Sequence, residues 1–138
     1  MFLRVLPALL LIPSLLPAAS DGVRRVNVFI GTGGHGHTYP GATVPHGMEQ
    51  LSPDTYDHEW DWCSGYHYSD SSIMGFSHTH LSGTGIGDML DVLVMPGTGA
   101  AKLEPGTREN PDAGYRSRFS HSDEKATPGY YSVLLKDY

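Results

Sequence analysis

The chain has 138 residues and a formal net charge of −6, with 9 Lys and Arg against 15 Asp and Glu. That length allows one small domain at most, and an acidic balance without any basic run argues against a nucleic-acid partner. The 17 Gly and 10 Pro, combined with little aliphatic periodicity, disfavour long helices and favour an all-β class.

The first twenty residues have the composition of a secretory signal peptide. Arg4 precedes the apolar stretch Val5–Leu16, which is too short to span a bilayer, and small residues follow at 18–20. Pro7, Pro13 and Pro17 disfavour the alternative, a buried N-terminal helix. We predict that residues 1–20 are cleaved, that the mature chain is secreted (periplasmic or extracellular), and that no segment spans a membrane.

Six short segments are predicted to be strands or extended pieces. They are Arg24–Ile30, His46–Leu51, Trp60–Tyr68, Ile73–His78, Met89–Met95 and Gly129–Leu135. Met89–Met95 is the most hydrophobic segment after residue 20 and is expected to be buried, whereas Ser52-Pro53-Asp54 is expected to be a turn. A stable sandwich usually needs about seven strands, and a chain that ends on a strand leaves an unpaired edge, so we expect a longer protein.

The glycine-rich loop Gly31–Thr38 (GTGGHGHT) resembles the phosphate-binding pattern G-x-x-x-x-G-K-[ST], except that His37 replaces the lysine. That lysine supplies the positive charge on the phosphates. The following Tyr39-Pro40-Gly41 also opposes the helix that should begin there. We therefore reject nucleotide binding for this loop.

Two His-x-His pairs, His35/His37 and His78/His80, offer a different chemistry. On a strand, residues i and i+2 face the same side and could present two imidazoles to a transition metal. No carboxylate follows His37 at the spacing of a cupin-like site. Imidazoles also bind sugar hydroxyls, so a metal site is the weaker alternative.

The segment Trp60–Tyr68 (WDWCSGYHY) is rich in aromatic residues. If it is extended, its four large aromatic residues share one face, and Asp61, His67 and the preceding Glu59 share the other. Aromatic faces stack on sugar rings, and carboxylates and imidazoles take sugar hydroxyls. The same pattern also fits the inner and outer faces of an ordinary sheet, and the residues alone leave both readings open.

Cys63 is the one cysteine, so no intramolecular disulfide is possible. It could be a nucleophile, but a small packed side chain is the interpretation we favour. Glu59 and Asp61 would lie about 7 Å apart on a strand, within the range of an inverting glycosidase. Both would approach the sugar from one side, whereas the acid and the base must act from opposite sides, so they make no convincing catalytic pair.

Three longer stretches carry a family resemblance. They are VNVFIGTGGHGHTYPGATVPHGMEQLSPDT, WDWCSGYHYSDSSIMGFSHTHLSGTGIGD and GYRSRFSHSDEKATPGYYSVLL. Together they resemble the N-terminal domain of glycoside hydrolase family 92, whose members are calcium-dependent, exo-acting α-mannosidases that trim N-glycan mannose with inversion. The resemblance runs from about Val26 to the C-terminus. His46, where an aromatic residue is expected, is a small departure.

The resemblance implies an antiparallel β-sandwich that packs on an (α/α)6 barrel, with the active site between them. In that family the general acid, the base carboxylates and most calcium contacts come from the barrel. We therefore expect no catalytic residue and no metal ligand in residues 21–138, an incomplete sandwich, and no hydrolysis by this chain alone. The alternative is a stand-alone secreted carbohydrate-binding module.

The resemblance also implies a wall around a terminal mannose, with α-1,2-linked mannose of N-glycans as the expected substrate. Trp62 is expected to stack on the sugar, with Asp61, His35 and His67 nearby as hydroxyl partners. The full set of expected substrate-binding residues is Gly33, Gly34, His35, His37, Asp61, Trp62, Cys63 and His67.

Overall fold

The computed structural model describes residues 20–43 and 47–138. These ranges contain one short helix, α1 (Ser20–Val23), and 3₁₀ helices at Trp60–Trp62, Pro111–Ala113 and His121–Asp123. The strands are β1 (Ser52–Asp54), β2 (Ser72–Ile73), β3 (Gly75–Ser77), β4 (Ser117–Arg118), β5 (Lys125–Thr127) and β6 (Tyr130–Ser132). Nearly all of the predicted signal peptide, and His46, lie outside the described residues.

All strand pairs are antiparallel within the part of the chain that the structure describes, as predicted for an antiparallel all-β domain. β1 pairs with β3, β2 with β4, and β5 with β6. Pro53 in β1 lies opposite Phe76, and Phe76 exchanges its hydrogen bonds with Val94 on its other side. The missing amide of Pro53 therefore costs no hydrogen bond between β1 and β3.

The hairpin of β5 and β6 turns at Pro128-Gly129, where Gly129 has a φ of 78°. Proline followed by a left-handed glycine is the signature of a type II turn. The prediction of a strand in Gly129–Leu135 is thus confirmed for Tyr130–Ser132, and β2 and β3 confirm most of Ile73–His78.

The core is small and lies between the sheets and the loops that follow them. Tyr66, Ile73 and Phe119 form its buried centre. Partly buried hydrophobic residues pack around this centre: Phe29, Tyr39, Phe76, Val133 and Leu135.

The predicted strand Arg24–Ile30 is wrong, because this segment forms turns. The Asn27 side chain accepts a hydrogen bond from the Phe29 amide at 3.0 Å, and the Ile30 amide donates to the Asn27 carbonyl. Such local bonds bend the backbone and compete with strand pairing. Ile30 is left 75% exposed.

Two further strand predictions are wrong. Trp60–Tyr68 begins as a 3₁₀ helix and continues through turns, with Gly65 at a φ of 81°. Met89–Met95 is not a buried strand: Met89, Leu90 and Val92 have positive φ values, and only Val94 makes a bridge. Ser52–Asp54, expected as a turn, is β1.

No helix in the described ranges is both long enough and apolar enough to cross a membrane.

Candidate functional site

The glycine-rich loop is held against the segment that carries His67 and Tyr68. The Tyr68 amide donates to the Thr32 carbonyl at 2.7 Å, and His67 Nε2 donates to the Gly34 carbonyl at 3.1 Å. A Cβ on Gly36 would lie 2.0 Å from the Gly31 carbonyl oxygen, so only glycine fits this tight loop. The loop thereby carries His35 and His37 towards Asp61.

Asp61 lies between the two imidazoles of the loop. Its Oδ1 is 2.5 Å from His35 Nδ1 and 3.8 Å from His37 Nε2. The hydrogen bond from His35, aided by the charges of His35, His67 and His37, holds the pKa of Asp61 below its ordinary value. At neutral pH Asp61 is therefore a carboxylate, which accepts hydrogen bonds from hydroxyl groups.

His37 has a left-handed backbone conformation, and one of its ring nitrogens lacks a hydrogen-bond partner. Its side chain is 7% exposed, its φ is 51°, and Nε2 is buried without a hydrogen-bond partner. Buried polar atoms are nearly always paired, so an unpaired ring nitrogen beside a carboxylate is a point where a bound hydroxyl or a water fits. The His37 carbonyl accepts from the Gly83 amide at 2.7 Å, which joins a second glycine-rich segment, residues 82–88 (SGTGIGD), to the loop Gly31–Thr38.

Trp60 is the exposed aromatic residue of this cluster, at 54% exposure. Its ring centroid lies 5.1 Å from that of His35 and 4.3 Å from that of His37, edge to face with the latter. A Cβ on Gly85 would lie 2.8 Å from Trp60 Nε1, so the lack of a side chain there lets the indole approach. A 3₁₀ helix turns about 120° per residue, so Trp60 and Trp62 point in different directions, unlike on a strand.

Trp62 points inwards and is half-buried. Its Nε1 donates to Asp70 Oδ2 at 2.6 Å, and the Arg108 guanidinium lies 4.2 Å from its ring centroid. The His67 ring lies 4.9 Å away at a tilt of 41°. His67 donates from Nε2 to the Gly34 carbonyl, and its Nδ1 lies 2.8 Å from Ser69 Oγ, so both ring nitrogens have a partner.

Cys63 is a packed residue, as the sequence favoured. It is fully buried, its Sγ donates to the Thr84 carbonyl at 2.8 Å, and burial raises the pKa of the thiol. A buried thiol without an activating cation is a poor nucleophile. Cys63 can therefore contribute to a sugar site only through its backbone.

The structure thus brings the predicted residues Gly34, His35, His37, Asp61, Trp62 and His67 into one cluster. Gly33 lies at its edge, where a Cβ would be 3.5 Å from Tyr68 Cβ. Sequence reasoning missed Asp70 and Arg108 as partners of Trp62, and Trp60 as the open aromatic face. Asp70 is the last residue of the motif WCSGYHYSD, so the sequence could have indicated it. No local pattern links Arg108 to Trp62.

A second buried cluster joins Asp54, Ser77 and His80. His80 Nε2 lies 2.8 Å from Asp54 Oδ1 and 3.1 Å from Ser77 Oγ, and its Nδ1 donates to the Gln50 carbonyl. A hydrolytic triad places Ser and Asp on opposite ring nitrogens, whereas here both share one. Asp54 and His80 have fully buried side chains, so this cluster lies in the interior and not at an open site.

Among the described residues, no group of three or more His, Cys, Asp or Glu could hold a metal ion. His78 and His80 have separate partners, Val92 and Asp54. The residues that the structure describes therefore offer no set of ligands that fits the calcium ion implied by the family resemblance.

Comparison with known proteins gives a consistent result. Residues 25–138 match the model of the glycosyl hydrolase family 92 N-terminal domain. A solved GH92 α-mannosidase from Bacteroides thetaiotaomicron, in complex with mannoimidazole, has a TM-score of 0.79 and 57% identity over 82% of this chain and 15% of that chain. A GH92 inverting mannosidase from the same bacterium has a TM-score of 0.52 and 32% identity over 80% of this chain and 14% of that one.

A curated relative from the fungus Arthroderma benhamiae, described as an uncharacterized secreted glycosidase, is 32% identical over 126 residues. That match covers 85% of this chain and 15% of the relative. The similarity to the solved structures confirms the antiparallel β-sandwich class of the N-terminal domain. The chain spans 14% to 15% of the length of these three relatives.

Proposed function

The chain belongs to glycosyl hydrolase family 92, as its N-terminal domain, and on that premise we propose that it forms the sugar-facing wall of a secreted α-mannosidase. The observation that carries the proposal is the Asp61 carboxylate with His35, His37, Trp60 and Trp62 around it. Carboxylates and imidazoles bind the hydroxyls of a sugar, and indoles contact its C–H faces.

The proposed ligand is the terminal, non-reducing mannose of an N-glycan, in an α-1,2 linkage. Asp61 accepts hydrogen bonds from neighbouring hydroxyls, and the unpaired Nε2 of His37 supplies a further polar contact. Such a wall binds and orients the sugar. The acid and the base that perform the inverting hydrolysis are proposed to come from an (α/α)6 barrel packed on this domain, so the chain alone is proposed to be inactive.

Calcium is part of the same proposal, as an ion held mainly by the barrel. The secretion of the chain after cleavage near residue 20 is also proposed, supported by the fungal relative described as a secreted glycosidase. The second candidate is a stand-alone carbohydrate-binding module. The coding sequence that follows Tyr138 separates the two, because the enzyme requires a barrel in the same frame.

Titration of the chain with methyl α-mannoside, followed by amide NMR, tests the proposal. We expect saturable shifts near Asp61, and Asp61→Asn should weaken binding by about ten- to a hundredfold, since a hydrogen bond to a charged group contributes about 1.5–3 kcal/mol. Asp112→Asn is the matched control, because Asp112 is an exposed carboxylate paired with Arg118 outside the cluster. Equal affinities for the two variants, or no saturable binding, would contradict the proposal.

A further inference from the structure

Arg108 comes from the loop before the 3₁₀ helix Pro111–Ala113 and contacts two aromatic rings. Its guanidinium carbon lies 4.2 Å from the centroid of the Trp62 indole and 4.3 Å from that of Tyr56. The two rings meet edge to face at 88°. One planar cation therefore occupies the corner that the rings form, and it covers one face of the indole.

Asp70 fixes the same indole by its edge. Trp62 Nε1 donates to Asp70 Oδ2 at 2.6 Å, and Arg108 Nη1 lies 3.7 Å from Asp70 Oδ1. The side chains of Asp70 and Arg108 are 10% and 24% exposed, so both contacts are largely shielded from solvent. The face and the N–H of the indole are thus held at once, which leaves the ring little freedom to rotate.

We propose that Arg108 is a positioning residue of the sugar site, which sets the plane of Trp62 and closes one of its faces. The inference rests on the proposed function. Arg108 covers one face of the Trp62 indole and the His67 ring lies 4.9 Å away, so a mannose ring can contact only the part of the indole that these two side chains leave open. An indole already held in place loses little conformational entropy when the sugar binds, so the contact with Arg108 increases affinity without touching the sugar.

The two tryptophans of the chain make the test direct, because its NMR spectrum contains two indole N–H signals. In Arg108→Gln we expect the Trp62 signal to move and the Trp60 signal to stay. Affinity for methyl α-mannoside should fall by about three- to tenfold. Arg108→Lys should recover only part of the loss, because lysine keeps the charge near Asp70 but lacks a planar face.

Arg118→Gln is the matched control, since the Arg118 guanidinium pairs with the carboxylates of Asp112 and Asp137. It should leave both indole signals and the affinity unchanged. If Arg108→Gln loses its folded amide spectrum, Arg108→Lys provides the same comparison.

The outcomes separate the two proposals. An unmoved Trp62 signal, or an unchanged affinity while the unaltered chain binds mannoside, contradicts the role of Arg108 alone. If the unaltered chain binds no mannoside, the proposed function fails, and the role of Arg108 towards a sugar fails with it.

Discussion

The neighbouring imidazoles stabilise the charged form of Asp61, whereas burial opposes it. Its pKa lies below the ordinary value of 3.8, first because of the hydrogen bond from His35. The contact therefore contributes stability above the unfolded-state pKa, and this contribution is lost as the pH falls through the lowered pKa of the folded state.

We expect the ¹³Cγ resonance of Asp61 to titrate with a midpoint below 3.8, and His35→Ala to raise that midpoint. His58→Ala is the control, because exposed His58 lies beside Asp57 and not Asp61. Backbone amide spectra at each pH show that the chain is still folded. If the midpoint is the same with and without His35, the assigned cause of the shift is wrong.

The site residues could be predicted from the sequence to different degrees. Asp61, His35 and Trp62 were placed by the family resemblance, since the residue pattern alone also fitted an ordinary sheet. The extended geometry assumed for Asp61 and Trp62 was wrong, because both lie in the 3₁₀ helix Trp60–Trp62, which follows Glu59 at a φ of 68°. Arg108 reaches Trp62 only through the tertiary fold, which no local pattern reports.

At the scale of elements, Glu124 joins three parts of the chain. It follows the 3₁₀ helix His121–Asp123, and its carboxylate accepts hydrogen bonds from the hydroxyls of Tyr66 and of Tyr131 in β6, and from His121 Nδ1. Burial, together with the neighbouring carboxylate, raises the pKa of both tyrosines, so their hydroxyls stay protonated as donors. His121 in turn stacks on Tyr68 with the ring centroids 4.0 Å apart.

Glu124→Gln should lower the free energy of unfolding by about 1–3 kcal/mol, because the amide cannot accept from all three donors and its NH₂ faces hydroxyls. Urea unfolding measures the loss. Glu104→Gln changes an exposed carboxylate in the same way and should have little effect. A similar small loss in both variants would show that the Glu124 network contributes no net stability.

Strand prediction succeeded where local chemistry decides the backbone and failed where distant contacts do. The Pro128-Gly129 turn defines the hairpin of β5 and β6 from its own residues. Arg24–Ile30 has the alternation of apolar and other residues expected of a strand, but the hydrogen bond from the Phe29 amide to the Asn27 side chain favours a turn there. Met89–Met95 was hydrophobic enough for a core strand, yet its apolar side chains lie largely at the surface.

Across the whole molecule, apolar surface is the feature that governs behaviour in solution. Large hydrophobic side chains are exposed in several regions, among them Ile30, Met48, Val92, Leu103 and Leu134. A groove of about 540 Å³ opens between the sheets, and it is lined mainly by apolar and aromatic residues such as Phe76, Tyr131 and Leu135. Exposed apolar surface of this kind promotes association, and a small buried core gives little stability against unfolding.

We therefore expect the isolated chain to bind a hydrophobic dye such as ANS and to unfold over a broad temperature range with concentration-dependent association. Light scattering, dye fluorescence and calorimetry at two protein concentrations measure these properties. A matched variant, Leu134→Gln, removes one exposed apolar side chain and should reduce association without lowering the thermal midpoint. A sharp, cooperative transition in a monodisperse monomer would contradict this expectation, because it would show that the described core stabilises the domain by itself. That result would favour the stand-alone carbohydrate-binding module over the wall of a larger enzyme.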